Sequence, residues 1–248
     1  MQESNISLEN TKLNENTLVL RINVAFAEDD LSDEAKKQFD FHHEILRTFR
    51  FFAEHVLSNK QLSPVGRHLA CTALEQNHIN AKLVLNYVAS HPEITSPMNA
   101  LPHPLVLCGL PRSGTTLLYN LLACDLNCRA PLYSEMAQPI PPLARSDNMG
   151  QVQRNNALQG FREMFANLGL GDCLQNMRAS HPQYAIEEDQ YIFHHAGYSW
   201  SHVLLSPPDD NELLHWSSTD INKSFIYDYH KTFIQMLNSI DAPNSHWL

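Results

Sequence analysis

A chain of 248 residues with 43% hydrophobic and 18% charged side chains can bury one ordinary core, with or without a helical appendage. Its net charge of −10 argues against wholesale electrostatic binding to nucleic acid or to an anionic membrane surface. No run approaches the ~20 apolar residues of a membrane span, and the start, Met1-Gln2-Glu3-Ser4-Asn5, has neither the basic residues nor the apolar run of a signal peptide. Five cysteines without zinc-type spacing suggest a reduced, cytoplasmic protein.

The first thirty residues are polar and read as a frayed lead-in. Ser32 then has the chemistry of an N-cap, and Asp33 and Glu34 suit a first turn. Leu46, Phe49, Ala53 and Val56 recur at steps of three and four, which predicts one amphipathic helix ending near Asn59. Ser63-Pro64 opens a second helix with a capping residue followed by proline; Leu69, Ala73, Leu83 and Tyr87 are expected on its buried side, and His91-Pro92 ends it. His42-His43 and His194-His195 are adjacent pairs, expected on different sides of a helix, so no metal is expected. Residues 1–100 thus read as a helical amino-terminal extension without a catalytic constellation, and 101–248 as a second domain.

Two prolines in Leu101-Pro102-His103-Pro104 make a connector. Leu105-Val106-Leu107-Cys108, short and wholly apolar, reads as a central parallel strand covered on both faces. Gly109-Leu110-Pro111-Arg112-Ser113-Gly114-Thr115-Thr116 follows, then Leu117, Leu118, Leu121 and Leu122 at helical spacing. The implied fold class is α/β, a nucleotide-binding parallel sheet cut short and therefore mostly helical. Further along, Pro131 to Pro142 is too rich in proline for a central element. Helices are expected over 149–168, 187–200 and 221–240, the last from Ile226, Tyr229, Phe233, Met236 and Ile240. Tyr191, Phe193, Tyr198 and Trp200 could line an acceptor cleft, but core packing is the plainer reading.

A glycine-bracketed loop running into a helix directs backbone N–H groups and the positive end of the helix dipole at an anion. Only eight glycines are present, and Gly109 and Gly114 have the spacing of the G-x-x-x-x-G-K-[ST] loop. Thr115 stands where that motif has its lysine. The cation is instead Arg112, with hydroxyl donors on Ser113, Thr115 and Thr116. This suits a phosphate-like group better than ordinary nucleoside triphosphate hydrolysis. Charge agrees: residues 109–178 carry six basic and five acidic side chains, while 179–248 carry two and nine. All six of those cations are arginines, suited to phosphate and sulfate. A hydroxyl-rich turn that holds no ligand is the bland alternative.

Residues 104–123, Pro-Leu-Val-Leu-Cys-Gly-Leu-Pro-Arg-Ser-Gly-Thr-Thr-Leu-Leu-Tyr-Asn-Leu-Leu-Ala, resemble the 5′-phosphosulfate loop of the sulfotransferase family. The branch with a helical amino-terminal extension is the most similar. Asp125, Arg129-Ala130-Pro131, Glu135 and Pro139-Ile140-Pro141-Pro142 resemble that branch's next motif, with Ser134 in place of its tryptophan. Glu187-Glu188-Asp189 is similar to a later acidic element. The resemblance implies a fold related to P-loop kinases and 3′-phosphoadenylyl sulfate as sulfuryl donor, without a metal. Gly109, Arg112, Ser113, Gly114, Thr115 and Thr116 would hold the donor's 5′ end.

By the same resemblance Glu135 is the first candidate base for an acceptor hydroxyl, with a structural pairing to Arg129 or Arg145 weighed equally against it. Glu188 and His181 are the runners-up. The acceptor is an unspecified small-molecule, carbohydrate or lipid hydroxyl. Trp247 resembles a family tryptophan that introduces a lysine-bearing strand and then an arginine–serine element for the 3′-phosphate. No candidate for that element follows the loop, so the expectation is a fragment, a splice product or a homologue that has lost catalysis. A non-catalytic helical interaction protein with an anion loop, or a P-loop kinase with a displaced cation, are the alternative readings.

Overall fold

Ser32 begins the first helix in extended backbone, its Oγ accepting the Ala35 N–H. The computed structural model describes residues 26–110, 113–180, 185–219 and 222–248. In it the expected long helix is two: α1 (Asp33–Gln38) and α2 (His42–Ser58). The break falls at Phe39, which turns into the core at 5% exposure, and His42 Nδ1 bonds the Phe39 carbonyl at 2.7 Å. A buried phenylalanine and a side-chain cap outweigh continuation of the backbone ladder.

α3 (Pro64–Ser90) starts on Ser63, whose Oγ accepts from Gly66 N–H, with proline at its first position. It ends at His91 as expected, but it is rotated. The buried face is Leu74, His78, Ala81, Leu85 and Val88, whereas Leu83 is 43% exposed. Two polar residues on that face hide its period. His78 packs against the rings of Phe26 and Phe49, and Asn80 Nδ2 donates to the Ala137 carbonyl. The hydrogen bond satisfies buried Asn80, whereas His78 is buried as a ring among rings, which lowers its pKa to about 4.

The remaining α-helices among the described residues are α4 (Thr115–Leu122), α5 (Tyr133–Ala137), α6 (Asn148–Phe165), α7 (Gly171–Ser180), α8 (Gln190–His195), α9 (Trp200–Leu205), α10 (Asn211–Ser218) and α11 (Ser224–Ile240). The helix expected over 187–200 is interrupted at Gly197, whose φ of 83° is a left-handed C-terminal turn that glycine adopts without strain. A side chain there would also press within 3.1 Å of Thr48 and 3.2 Å of the Phe49 backbone. α11 carries its period as expected except at its end: Tyr229, Phe233 and Met236 are buried, while Ile240 is exposed.

One hydrophobic core joins both sides of the 101–104 connector. It holds Phe26, Phe49 and Phe52 with Val84 and Leu85, and Tyr229, Phe233 and Trp247 from the far end. Tyr191, Phe193 and Tyr198 pack against its edge. Each fully buried large side chain contributes about 1.5–3 kcal/mol of transfer free energy. No helix among the described residues is long and apolar enough to cross a membrane.

The α/β expectation is overturned. Among the described residues there is no strand, only two isolated bridges, Arg129–Trp247 and Leu132–Ile186. Leu105 N–H donates to the Trp247 carbonyl at 2.7 Å, but residues 105–108 make no second ladder bond. Val106 is 71% exposed. A strand requires consecutive pairings and a covering layer, and this segment has neither. An apolar run by itself therefore misleads. The fold is helical.

Candidate anion-binding loop and its surroundings

Pro111 and Arg112, the latter the expected loop cation, lie outside the described residues. Around them the loop is defined. Ser113 closes a turn on Leu110, its N–H at 3.2 Å and its Oγ at 2.7 Å from that carbonyl. Gly114, at φ 87°, is the N-cap residue of α4, and nothing lies within 4 Å of where its Cβ would stand. At Gly109 a Cβ would meet Thr115 Cγ2 at 2.6 Å and Ser113 Oγ at 3.0 Å. The two glycines thus do different work: Gly109 lets the loop close and Gly114 turns it into the helix.

Thr115 and Thr116 open α4, where the first N–H groups have no intrahelical acceptor. Thr116 Oγ1 donates to Glu188 Oε1 at 2.9 Å. Asn120, one turn on, donates to the Thr116 carbonyl at 2.9 Å and reaches Ile186 O at 3.4 Å. Segment 186–188 is therefore fastened along α4. Tyr119 anchors the opposite side, its buried hydroxyl donating to Leu248 O at 3.2 Å. Burial, then the charges of Asp189 and Glu188, push that phenol above its ordinary range. Leu117 and Leu121, by contrast, are 58% and 60% exposed.

Glu135 is placed differently from Glu188. It is fully buried; Oε1 accepts from Arg129 Nη2 at 2.7 Å and Oε2 from Leu132 N–H at 2.9 Å. The partner considered from sequence, Arg129, is thus present. Arg129 also donates to the Leu237 carbonyl at 2.8 Å and to the Asp241 carbonyl, neutralising the C-terminus of α11. Its guanidinium lies over Trp247, 4.9 Å from the ring centroid. Burial lowers the Arg129 pKa, and Glu135 and Asp241 raise it again. Glu188 is only half-buried, and besides Thr116 it accepts from Gln190 at 3.0 Å.

The arginine-rich middle segment has a structural explanation where its side chains are described. Arg145 pairs with Asp241 at 2.8 Å, and buried Arg154 donates to the Pro141 carbonyl. Among the described residues, the hydrogen bonds of these two and of Arg129 lead away from the loop. His181, a runner-up for the base, lies outside the described residues. Asn120, which ties the loop helix to the Glu188 segment, was not found from sequence; an uncharged side chain at helical spacing carries no signal there.

Residues 104–216 match the family model described as Sulfotransferase family. Among solved structures, the sulfotransferase STF9 of Mycobacterium avium is similar at 23% identity and a TM-score of 0.56, over 88% of this chain and 56% of that one. The fold is that of the sulfotransferases. STF1 of Mycobacterium tuberculosis H37Rv agrees at 18% identity and a TM-score of 0.57, over 94% of this chain and 59% of that one. The chain spans a little over half the length of these sulfotransferases. In it the sulfotransferase fold is represented by helices and extended connections, without a sheet among the described residues. A search of the curated proteins returns no match.

Proposed function

We propose that the loop from Gly109 to Thr116 binds the 5′ end of 3′-phosphoadenylyl sulfate, and that the chain belongs to an enzyme transferring its sulfuryl group to an acceptor hydroxyl. The observation that carries this reading is the Gly114 turn into α4 within the stretch matching the sulfotransferase family model. A left-handed glycine followed by free helical N–H groups is an anion cradle. The close approach at Gly109 fits the same group, because a side chain there would hold the loop open.

The donor supplies an activated sulfuryl group whose departing phosphate takes up negative charge. Arg112, the amides of α4 and the hydroxyls of Ser113, Thr115 and Thr116 are the residues suited to hold that charge. The acceptor oxygen gives up its proton as its bond to sulfur forms and the sulfur–oxygen bond to phosphate breaks. For that proton the geometry favours Glu188 over Glu135. Glu188 is partly open and within hydrogen-bond reach of the loop, whereas Glu135 is fully buried and bound to a guanidinium and a backbone N–H. On this reading Glu135 is a positioning residue that holds Arg129 and the turn into α5.

Calorimetric titration with 3′-phosphoadenosine 5′-phosphate and separately with ATP tests the loop. Binding of the former that Arg112→Ala abolishes is expected; no heat from folded protein refutes the assignment, and tighter ATP binding favours a kinase. With transfer of labelled sulfuryl groups as readout, Glu188→Gln should cost about 10²–10⁴-fold in rate without weakening nucleotide binding. An unchanged rate would remove Glu188 as the base.

A further inference from the structure

At the start of α2, away from the residues assigned to the donor, a carboxylate and two imidazoles converge. His42 is 95% buried, with a residual exposure of 5%, and its Nδ1 lies 2.7 Å from the Phe39 carbonyl. A carbonyl only accepts, so Nδ1 carries a proton and Nε2 of the neutral ring is a lone pair. Nε2 has no hydrogen-bond partner among the described residues, yet sits 3.3 Å from Glu28 Oε1. Two electron-rich atoms facing each other in a buried place call for a positive charge between them. His43 Nδ1 is 3.1 Å from the same Oε1, and the two imidazole centroids are 3.8 Å apart.

We propose that Glu28, His42 and His43 form a three-ligand site for a divalent transition metal of the zinc class. Their three ligating atoms all lie within 4.8 Å of one another. Separations of 3.1 and 3.3 Å match the roughly 3.3 Å edge of a tetrahedron with metal–ligand bonds of about 2.0 Å. Adjacent helical residues diverge by about 100°, which from spacing alone would part the rings. Here they converge because His42 offers its far nitrogen and His43 its near one to the same Glu28 oxygen.

The supports are those a metal-bound histidine needs. His42 donates its other N–H to a backbone carbonyl, which fixes tautomer and ring plane. The segment carrying Glu28 is pinned on both sides: the Phe26 carbonyl accepts from Arg50 Nη2 at 2.8 Å and its ring stacks on Phe49, and the Glu28 carbonyl accepts from Leu31 N–H at 2.9 Å. A small cavity of mainly apolar lining, Leu31, Ile45 and Leu85 among it, adjoins Glu28 and His42 on the core side, so a fourth ligand would come from solvent on the side of exposed His43. The Lys82 charge is taken by Asp30 at 2.9 Å, and Glu44 in the first turn of α2 offsets the helix dipole. Two imidazoles and one carboxylate suit zinc, cobalt or nickel rather than magnesium or calcium. Such an ion would clamp the segment ahead of α1 to the start of α2.

The chelator-treated full chain titrated with cobalt(II), then with zinc, reads this out. A single tetrahedral-type cobalt absorption band displaced by one equivalent of zinc is expected. Glu28→Gln and His43→Ala should each weaken zinc binding beyond the roughly 10–100-fold that loss of a supporting partner costs. His43 is two-thirds exposed, so its variant keeps the fold and decides the matter even where another does not. Equal zinc isotherms for the wild-type chain and both variants would overturn the site, leaving the pair as protonated histidines bound to Glu28. Absence of a tetrahedral band would overturn it equally.

Discussion

Replacing Glu135 by glutamine isolates the difference between a buried structural carboxylate and a base. The substitution keeps shape and an acceptor for the Leu132 N–H, but removes the charge facing Arg129 at 2.7 Å. The nearest other carboxylate, Asp241, is 3.9 Å from Arg129 Nε, and Arg145 already holds it. A buried guanidinium deprived of its partner costs about 3–5 kcal/mol. At roughly 2–4 °C per kcal/mol for a chain of this size, the melting temperature falls by roughly 6–20 °C. Arg129→Met should cost as much, since it also frees the Leu237 and Asp241 carbonyls. The double variant Arg129→Met/Glu135→Met should lose less than the sum, because neither charge is then stranded. Thermal and urea unfolding followed by circular dichroism supply the numbers. A Glu135→Gln protein within about 1 kcal/mol of wild type would refute the structural assignment and restore Glu135 as the leading base.

Acid should destabilise the fold early. Burial lowers His78, His194 and His202 to about 4 and His195 to about 3, each from an ordinary value of 6.5. The unfolded chain therefore takes up protons first. Stability from these groups is complete above pH 6.5 and is lost toward pH 4, by up to about 1.4 kcal/mol per histidine per pH unit; a urea midpoint unchanged between pH 7 and 5 would contradict this. The face of α3 is checked by a pair of substitutions: Leu74→Ala should cost about 2–5 kcal/mol and Leu83→Ala under about 1 kcal/mol, an order that burial of the Leu83 face would reverse. Gly197→Ala should cost about 1–3 kcal/mol, since it meets both a left-handed φ and the Phe49 backbone; a neutral result would mean α8 ends differently.

Local chemistry was legible wherever a residue acts on its own neighbours. Ser32 and Ser63 cap the helices their spacing announces, and Gly109 and Gly114 bracket the loop. Reading failed where the outcome depends on distant partners. Leu105–Cys108 has the composition of a central strand, but a strand exists only with neighbours, and Trp247 offers one bond. The α3 face is hidden in the sequence because His78 and Asn80 take buried positions beside Phe26, Phe49 and Ala137, far away along the chain. Glu135 falls between the two cases: its pairing with Arg129 is one of the two readings its sequence position allows, but the helix end that Arg129 caps is not visible in the sequence. His42 and His43 were set aside on helical spacing, which ignores how far each nitrogen reaches and where Glu28 returns.

Whether residues 109–116 receive the 5′ anion of the donor is decided by amide chemical shifts during titration with 3′-phosphoadenosine 5′-phosphate. The largest shifts should fall on the amides of Ser113, Gly114, Thr115 and Thr116 and disappear in Arg112→Ala. Saturable shifts centred elsewhere, with those amides unmoved, would contradict it.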